Sequence, residues 1–159
     1  MSSQPAPDLF RRACAQWATG IAIVTIADRA QVPHGMTVNS FTSVSLEPAM
    51  ILVCIDHRAT ILPLLTLGQE FAVNVLAEDQ TDLSSRFARK TEDRFENLDW
   101  MSGRSGSPIL TGTLAVFECA ITESVTAGDH QIVIARVHSV QFREGRPLLY
   151  FDSGYQTLG

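Results

Sequence analysis

Late in the chain two long alternating segments stand almost end to end. Residues 113–126, "TLAVFECAITESVT", and 130–143, "HQIVIARVHSVQFR", are separated only by "AGD". Apolar and polar residues alternate along both, and Gly-Asp is a turn signal between strands. The pair therefore reads as a long antiparallel hairpin, and any fold for this chain must be built around it. A further short β-type segment, 147–151 "PLLYF", closes the second half.

The first half supplies the remaining walls. Segments 21–27 "IAIVTIA", 35–46, 50–55 "MILVCI" and 71–76 "FAVNVL" have β character and are divided by Asp, Pro and Gly turn signals. Helical patterns occupy 60–67 "TILPLLTL", with Pro63 near its first turn, and 79–97, with Leu83, Phe87 and Phe95 on one side. An N-terminal helix is predicted over "APDLFRRACAQWATG", with Asp8 as N-cap, Leu9, Phe10, Ala13, Cys14 and Trp17 as its apolar positions, and Gly20 as the terminating glycine. Six or more strands without a strand-helix-strand rhythm make a closed antiparallel β-barrel with helical excursions, mainly β in class.

Length and composition bound the rest. At 159 residues and 45% hydrophobic, the chain suits one domain over 1–159, with residues 1–7 as a flexible N-terminus. A net charge of −5 and the absence of a basic run argue against a nucleic-acid partner. Runs such as "IAIVTIA" and "AMILVCI" are too short to span a membrane, and "MSSQPAPDLFRR" has no secretory pattern, so a cytoplasmic protein is expected. Cys14, Cys54 and Cys119 are widely spaced in apolar segments and read as small core residues. The histidines at 34, 57, 130 and 138 lack metal-ligand spacing, and no metal is expected. The segment 102–112, "SGRSGSPILTG", matches no phosphate-loop pattern and reads as a surface loop, and no G-x-S-x-G elbow is present.

One stretch is unusual for a half-buried strand. In 34–48, "HGMTVNSFTSVSLEP", seven of fifteen residues carry a hydroxyl, amide or imidazole. Taken with "FRRACAQWATGIAIVT", "FAVNVLAEDQTDLSSRFA", "GDH" at 128–130 and "PLLYFDSGY", this stretch resembles the flavin reductase-like family, in the family's order and from Phe10 to Leu158. The resemblance implies a six-stranded, Greek-key, FMN-binding split barrel. It also implies an NAD(P)H-dependent reductase that passes hydride from NADH or NADPH to FMN or FAD and supplies a separate flavin-dependent oxygenase. A homodimer covering the flavin is the expected assembly.

Site residues follow from the same resemblance. Thr37, Val38, Asn39 and Ser40 are expected on the flavin ring and ribityl chain, with Ser45, Cys54, Ile55 and Asp56 on neighbouring strands. Met36, Val38, Phe41 and Val44 are expected to anchor that strand in the core. Phosphate is expected near Thr60 and near Phe87, Ala88, Arg89 and Lys90. Gly128, Asp129 and His130, together with Tyr155, are expected on the nicotinamide side, and His130 and Asn39 are the candidate catalytic residues. Each has a plainer reading: Asn39 as a satisfied sheet amide, Gly128 as a turn glycine, Lys90 as a solvated charge, Tyr155 as surface packing. Ala59 stands where relatives often carry a hydroxyl residue, with Arg58 as a possible substitute, and His34 stands where many carry a small or neutral one. Two rival functions share the fold: a flavin- or haem-binding module without turnover, and an oxidase acting directly on a small organic substrate.

Overall fold

The computed structural model describes residues 4–159. In chain order its elements are α1 (Pro7–Cys14), β1 (Thr19–Gly20), β2 (Ala22–Ala27), β3 (Pro33–Val38), β4 (Thr42–Leu46), β5 (Ala49–Asp56), a single 3-10 turn (Leu62–Leu64), β6 (Glu70–Val75), α2 (Thr81–Ala88), β7 (Trp100–Ser102), β8 (Pro108–Leu110), β9 (Ala115–Ala127), β10 (His130–Phe142), β11 (Leu149–Phe151) and β12 (Gly154–Gln156). The long hairpin is β9 and β10, joined by the two-residue turn Gly128–Asp129, where Gly128 takes φ +60°. A residue with a side chain is strained at that angle.

The main sheet has seven strands in the order β3-β2-β6-β9-β10-β5-β4, a Greek-key order in which every pairing is antiparallel. Its two edge strands, β3 and β4, are consecutive in the chain and joined by residues 39–41 alone. Four Cα steps reach at most about 15 Å, whereas the edges of a flat seven-stranded sheet lie about 29 Å apart. The sheet must therefore curl until its edges approach. Inside the curl lies one core, fed by alternate residues: Val24 and Ile26, Ile51, Val53 and Ile55, Phe71 and Val73, Cys119 and Ile121, Val133 and Ala135. A second cluster of Ile21, Ile23, Leu76, Phe87, Leu110 and Leu148 lies on the outer face. β2 is thus covered on both sides, which is why its sequence is apolar throughout except for Thr25, whose buried hydroxyl donates to the Pro108 carbonyl at 2.5 Å.

Several expectations are corrected. The segment 35–46 is two strands rather than one, because the chain leaves the β3 ladder at Asn39–Phe41, so the sheet has seven strands instead of six. Val44 is 46% exposed and anchors nothing, while Val38 is buried and Met36 and Phe41 pack on the core. Helix 60–67 shrinks to one turn, and helix 79–97 ends at Ala88. The 102–112 segment is no simple surface loop: β7 and β8 form a ribbon that buries Ser107 to Leu110 against the sheet. Helix α1 is capped by Ala6 without a side-chain bond, Asp8 sits in its first turn paired with Arg11 at 3.0 Å, and Gly20 belongs to β1. Cys14 is exposed because no other element covers α1, and Cys54 is half-buried; only Cys119 is a core cysteine. Of the residues expected to form a flexible terminus, 1–3 lie outside the described residues, 4–6 have no regular structure, and Pro7 already opens α1.

Candidate active site

The curled sheet is not sealed along its seam. Pairing between β4 and β5 ends at Thr42 opposite Leu52, so residues 53–56 of β5 have no strand neighbour on that side. β3 is likewise an edge. One end of this split is held by Ser40, whose hydroxyl donates to the Cys54 carbonyl and accepts from the Cys54 N–H, both at 3.0 Å. A side chain thus replaces the ladder partner that β4 would have supplied. At the other end Thr60 and Ile61, which follow β5, meet Pro33, His34 and Gly35 across a cleft of about 600 Å³ that Lys90, Arg94 and Phe95 also line. With a rise of ~3.3 Å per residue, His34 and Val38 stand ~13 Å apart along β3. The split is therefore a groove with an amide and hydroxyls at one end and cations at the other.

Helix α2 fixes the outer wall of β3. The Thr37 hydroxyl donates to the Ser84 carbonyl at 2.6 Å. Phe87 fills the space over Gly35, where a Cβ would come within 2.7 Å of its ring. After the helix the chain is held by Arg94, which donates to the Gly35 carbonyl at 2.5 Å and to the Arg89 carbonyl at 2.8 Å. Burial lowers the Arg94 pKa, since desolvation penalises its charge. Among the described residues no carboxylate forms an ion pair with Arg94 or Lys90. His34 is held by Asp28 at 3.1 Å, and that bond, together with backbone N–H groups of the 28–32 loop, keeps the Asp28 carboxyl below its ordinary pKa.

A second cleft of about 250 Å³ gathers Thr37, Val38, Asn39 and Ala88 with Ile21, Ser84, Tyr150 and Tyr155. The Tyr155 hydroxyl lies 2.9 Å from the Ser84 hydroxyl, and its ring meets Tyr150 edge to face with centroids 5.9 Å apart. Next to it, a small cavity of about 70 Å³ has Asn39, Phe41 and Thr19 in its lining. The Thr19 hydroxyl is buried there without a protein partner. Asn39 itself is exposed. An orphan hydroxyl and a free amide beside an apolar wall are the donor set that the polar edge of a flavin requires, so the residues present fit that group.

The hairpin tip forms the third part. His130 pairs with Asp56 and Ile132 with Cys54 across the β5–β10 ladder. Because Val53 and Ile55 point into the core, Cys54 and Asp56 point out, and residues directly opposite share that face. Asp56 accepts from the Arg58 N–H at 2.7 Å and from its guanidinium at 3.0 and 2.7 Å. The Arg58 side-chain bonds hold the Asp56 carboxyl well below the usual carboxylate range. His130 Nδ1 lies 2.7 Å from the Asp129 carboxylate and thereby lowers the Asp129 pKa. The His57 N–H ties the tip to the β5 exit by donating to the Asp129 carbonyl at 3.0 Å.

The expected residues thus fall into neighbouring groups. Thr37, Val38, Asn39, Ala88 and Tyr155 share one cleft, and Thr60 and Lys90 share another. Ser40, Cys54 and Asp56 line the seam along β5, and His130 stands beside Asp56 on the other flank of that strand. Tyr155 lies with the β3 cleft, whereas Gly128, Asp129 and His130 stand at the β10 end. Arg89 faces away from Thr60, in a different cleft with Arg86, Asp82 and Glu96. Ile55 and Phe87 spend their side chains in the two cores, and Ser45 lies at the β4 bulge opposite Met50. Ser84, Tyr150, Thr19 and Arg94 were not singled out from the sequence. The signal for Ser84 was a serine on the apolar side of a helix; for Arg94 there was none, because a charge in a charged segment reads as solvated.

Known proteins bear on this geometry. The flavin reductase like domain model matches residues 14–159. The chain is 44% identical over 151 residues to actinorhodin polyketide dimerase of Streptomyces coelicolor, covering 94% of this chain and 85% of that one. It is 38% identical to the flavin-dependent monooxygenase reductase subunit HsaB of Rhodococcus jostii, covering 96% of this chain and 78% of that one. Among solved structures, the NADH:FAD oxidoreductase SgcE6 of Streptomyces globisporus, in complex with NAD and FAD fragments, superposes with a TM-score of 0.91 at 32% identity, over 99% of this chain and 98% of that one. With its family model spanning nearly the whole chain and its fold shared with a flavin oxidoreductase, this chain belongs to the flavin reductase-like family.

Proposed function

We propose that the protein is an NADH-dependent flavin reductase whose flavin lies along the split between β3 and β5. The observation that carries the reading is that split: two strand edges left unpaired, with Asn39 and Ser40 at one end and Lys90, Arg94 and Thr60 at the other. When bound, the flavin supplies a two-electron acceptor that takes the nicotinamide hydride, and a solvent proton completes its reduced form.

The chain's own residues bind and orient. Thr37 and Val38 present the wall on which the ring rests, and the Asn39 amide faces the pyrimidine edge, where negative charge grows on reduction. Ser40 holds β3 and β5 at the spacing the ring needs. Lys90 and Arg94 hold phosphate, with Thr60 as a further donor; the side chain of Arg89 contributes less, since it faces another cleft. His130 stands on the nicotinamide side, its ring oriented by Asp129, and can donate or accept a bond at the carboxamide or a phosphate oxygen. Tyr155 borders the ring cleft instead.

Reduced flavin passes to a separate oxygenase, in keeping with the resemblance to reductase subunits. A second copy of the chain completes the enzyme. Leu9, Phe10 and Trp17 form an exposed apolar stripe on and after α1, with Trp17 77% exposed. The Asp152 N–H donates to the Ala15 carbonyl, which fixes the end of that stripe to the β11–β12 turn beside Tyr155. Its three cysteines are free, as they are in a reducing cytoplasm. The test is steady-state oxidation of NADH and NADPH with FMN, FAD and riboflavin supplied in turn. Flavin-dependent NADH oxidation is expected, and none with any flavin rejects the reading.

A further inference from the structure

One end of the barrel is left open and apolar. β5 pairs with β10 only as far as Met50 opposite Arg136, while β10 runs on beside β9 to Phe142. Along this overhang Val140 stands opposite Phe117 and Phe142 opposite Ala115, and β6 continues the same two rows with Val73 and Val75. Residues directly opposite share a face, and Val73 and Phe117 pack on the inner core. Val140 and Phe142 therefore lie on the inner face, yet they are 52% and 82% exposed. Phe41, packed on Phe117 with ring centroids 5.2 Å apart, and Val75 carry the apolar surface on to the cavity at Thr19 and Asn39. Helix α1 is the other uncovered apolar surface. Leu9 with Ala13 and Phe10 with Cys14 stand at i,i+4 spacing on one side of it, and none of its residues is buried.

We propose that the open barrel end is the seat for helix α1 of a second copy of this chain, in a reciprocal exchange that roofs the cavity beside Asn39. The inference rests on the reading that a second copy completes the enzyme, and it states where that copy docks. Within one chain the helix is turned away from the opening, its end held where the Ala15 carbonyl accepts from the Asp152 N–H at 2.9 Å. A twofold pair covers both surfaces at once, because each copy offers one helix and one opening. The size is sufficient. Phe10, Trp17 and Phe142 are each at least 60% exposed; aromatic side chains bury ~150–250 Å² each, and with Leu9 and Val140 the two copies reach the ~1,000 Å² that a specific interface needs. Charge agrees as well. Arg11 is engaged by Asp8, whereas Arg12 on the helix and Glu144 just beyond Phe142 make no ion pair among the described residues. Seating the helix across the opening sets the one against the other.

The test uses the full-length protein, with the native Cys14 thiol as the reporter on α1 and Val140→Cys as the reporter at the barrel end. Both positions are exposed, and a Tm near that of the wild type checks the fold of each variant. A short bis-maleimide should give a covalent dimer whose joined peptides contain positions 14 and 140, and that link should vanish in Cys14→Ser/Val140→Cys. Phe142→Glu should sediment as a monomer, as Phe10→Glu does, and bind flavin at least tenfold more weakly. A dimer joined only through the two copies of position 140, or a link between 14 and 140 inside one chain, overturns the proposal. So does a Phe142→Glu variant that stays dimeric while Phe10→Glu does not. A monomeric Phe142→Glu with wild-type flavin affinity overturns the part given to the partner helix at the flavin cavity. A wild type that sediments as a monomer would instead reject the underlying reading that a second copy completes the enzyme.

Discussion

Ser40 is the residue on which the geometry of the seam depends most. Its hydroxyl serves both the N–H and the carbonyl of Cys54, so Ser40→Ala leaves two groups on a half-exposed strand edge unpartnered. A loss of about 1–3 kcal/mol is expected in urea unfolding, together with weaker flavin binding as β3 and β5 drift. Asn39 should behave differently. It is exposed and makes no side-chain hydrogen bond among the described residues, so Asn39→Ala should leave the unfolding midpoint alone and lower kcat/KM for flavin reduction by an amount equivalent to about 1–3 kcal/mol. A folded variant with unchanged turnover would remove Asn39 from the site. His130→Ala should raise the KM for NADH, with a roughly fivefold loss in kcat/KM for one hydrogen bond, while flavin affinity read by fluorescence quenching stays near wild type. Loss of flavin with unchanged nicotinamide kinetics would move the hairpin tip to the flavin side.

At the scale of elements, the contact between α2 and β3 is the tightest constraint. A Cβ on Gly35 would meet the Phe87 ring at 2.7 Å and the Val24 carbonyl at 3.2 Å, and the ring is locked by Phe95. Gly35→Ala should therefore cost about 1–3 kcal/mol and push α2 outward, seen as a lower Tm and as faster exchange of amides 81–88. The 28–32 loop carries a pH dependence. Asp28 has its carboxyl pKa lowered below 3.8, first by the His34 bond. A depressed pKa gives stability that is fully present above the unfolded value and lost as pH falls through the folded one. Asp28→Asn should thus narrow its stability gap from the wild type below about pH 4; a gap constant down to pH 2 would show that the pair contributes nothing.

Much of the whole molecule is legible in its sequence, and what is not legible has physical causes. Thirteen-residue strands such as β9 and β10 carry enough alternation to be unmistakable. The break between β3 and β4 was invisible because it is made at Asn39–Phe41, without glycine or proline, by the curl of the sheet. The burial of 107–110 was missed because a Gly- and Ser-rich stretch gives no local sign that its Ile-Leu pair has a sheet to cover. Helix α1 has an amphipathic pattern, yet a pattern cannot say whether the surface it fits belongs to the same chain. Phe10→Glu or Trp17→Glu should shift a sedimentation profile from dimer to monomer. A wild type that already sediments as a monomer would contradict the assembly.

A flavin reductase turns flavin over and does more than hold it. Anaerobic mixing of the protein and flavin with NADH, followed by absorbance, tests it most directly. Bleaching of the flavin is expected at a rate that saturates with NADH and falls in His130→Ala, while dithionite reduces wild type and variant alike. A flavin that binds the protein and stays oxidised in the presence of NADH would contradict it.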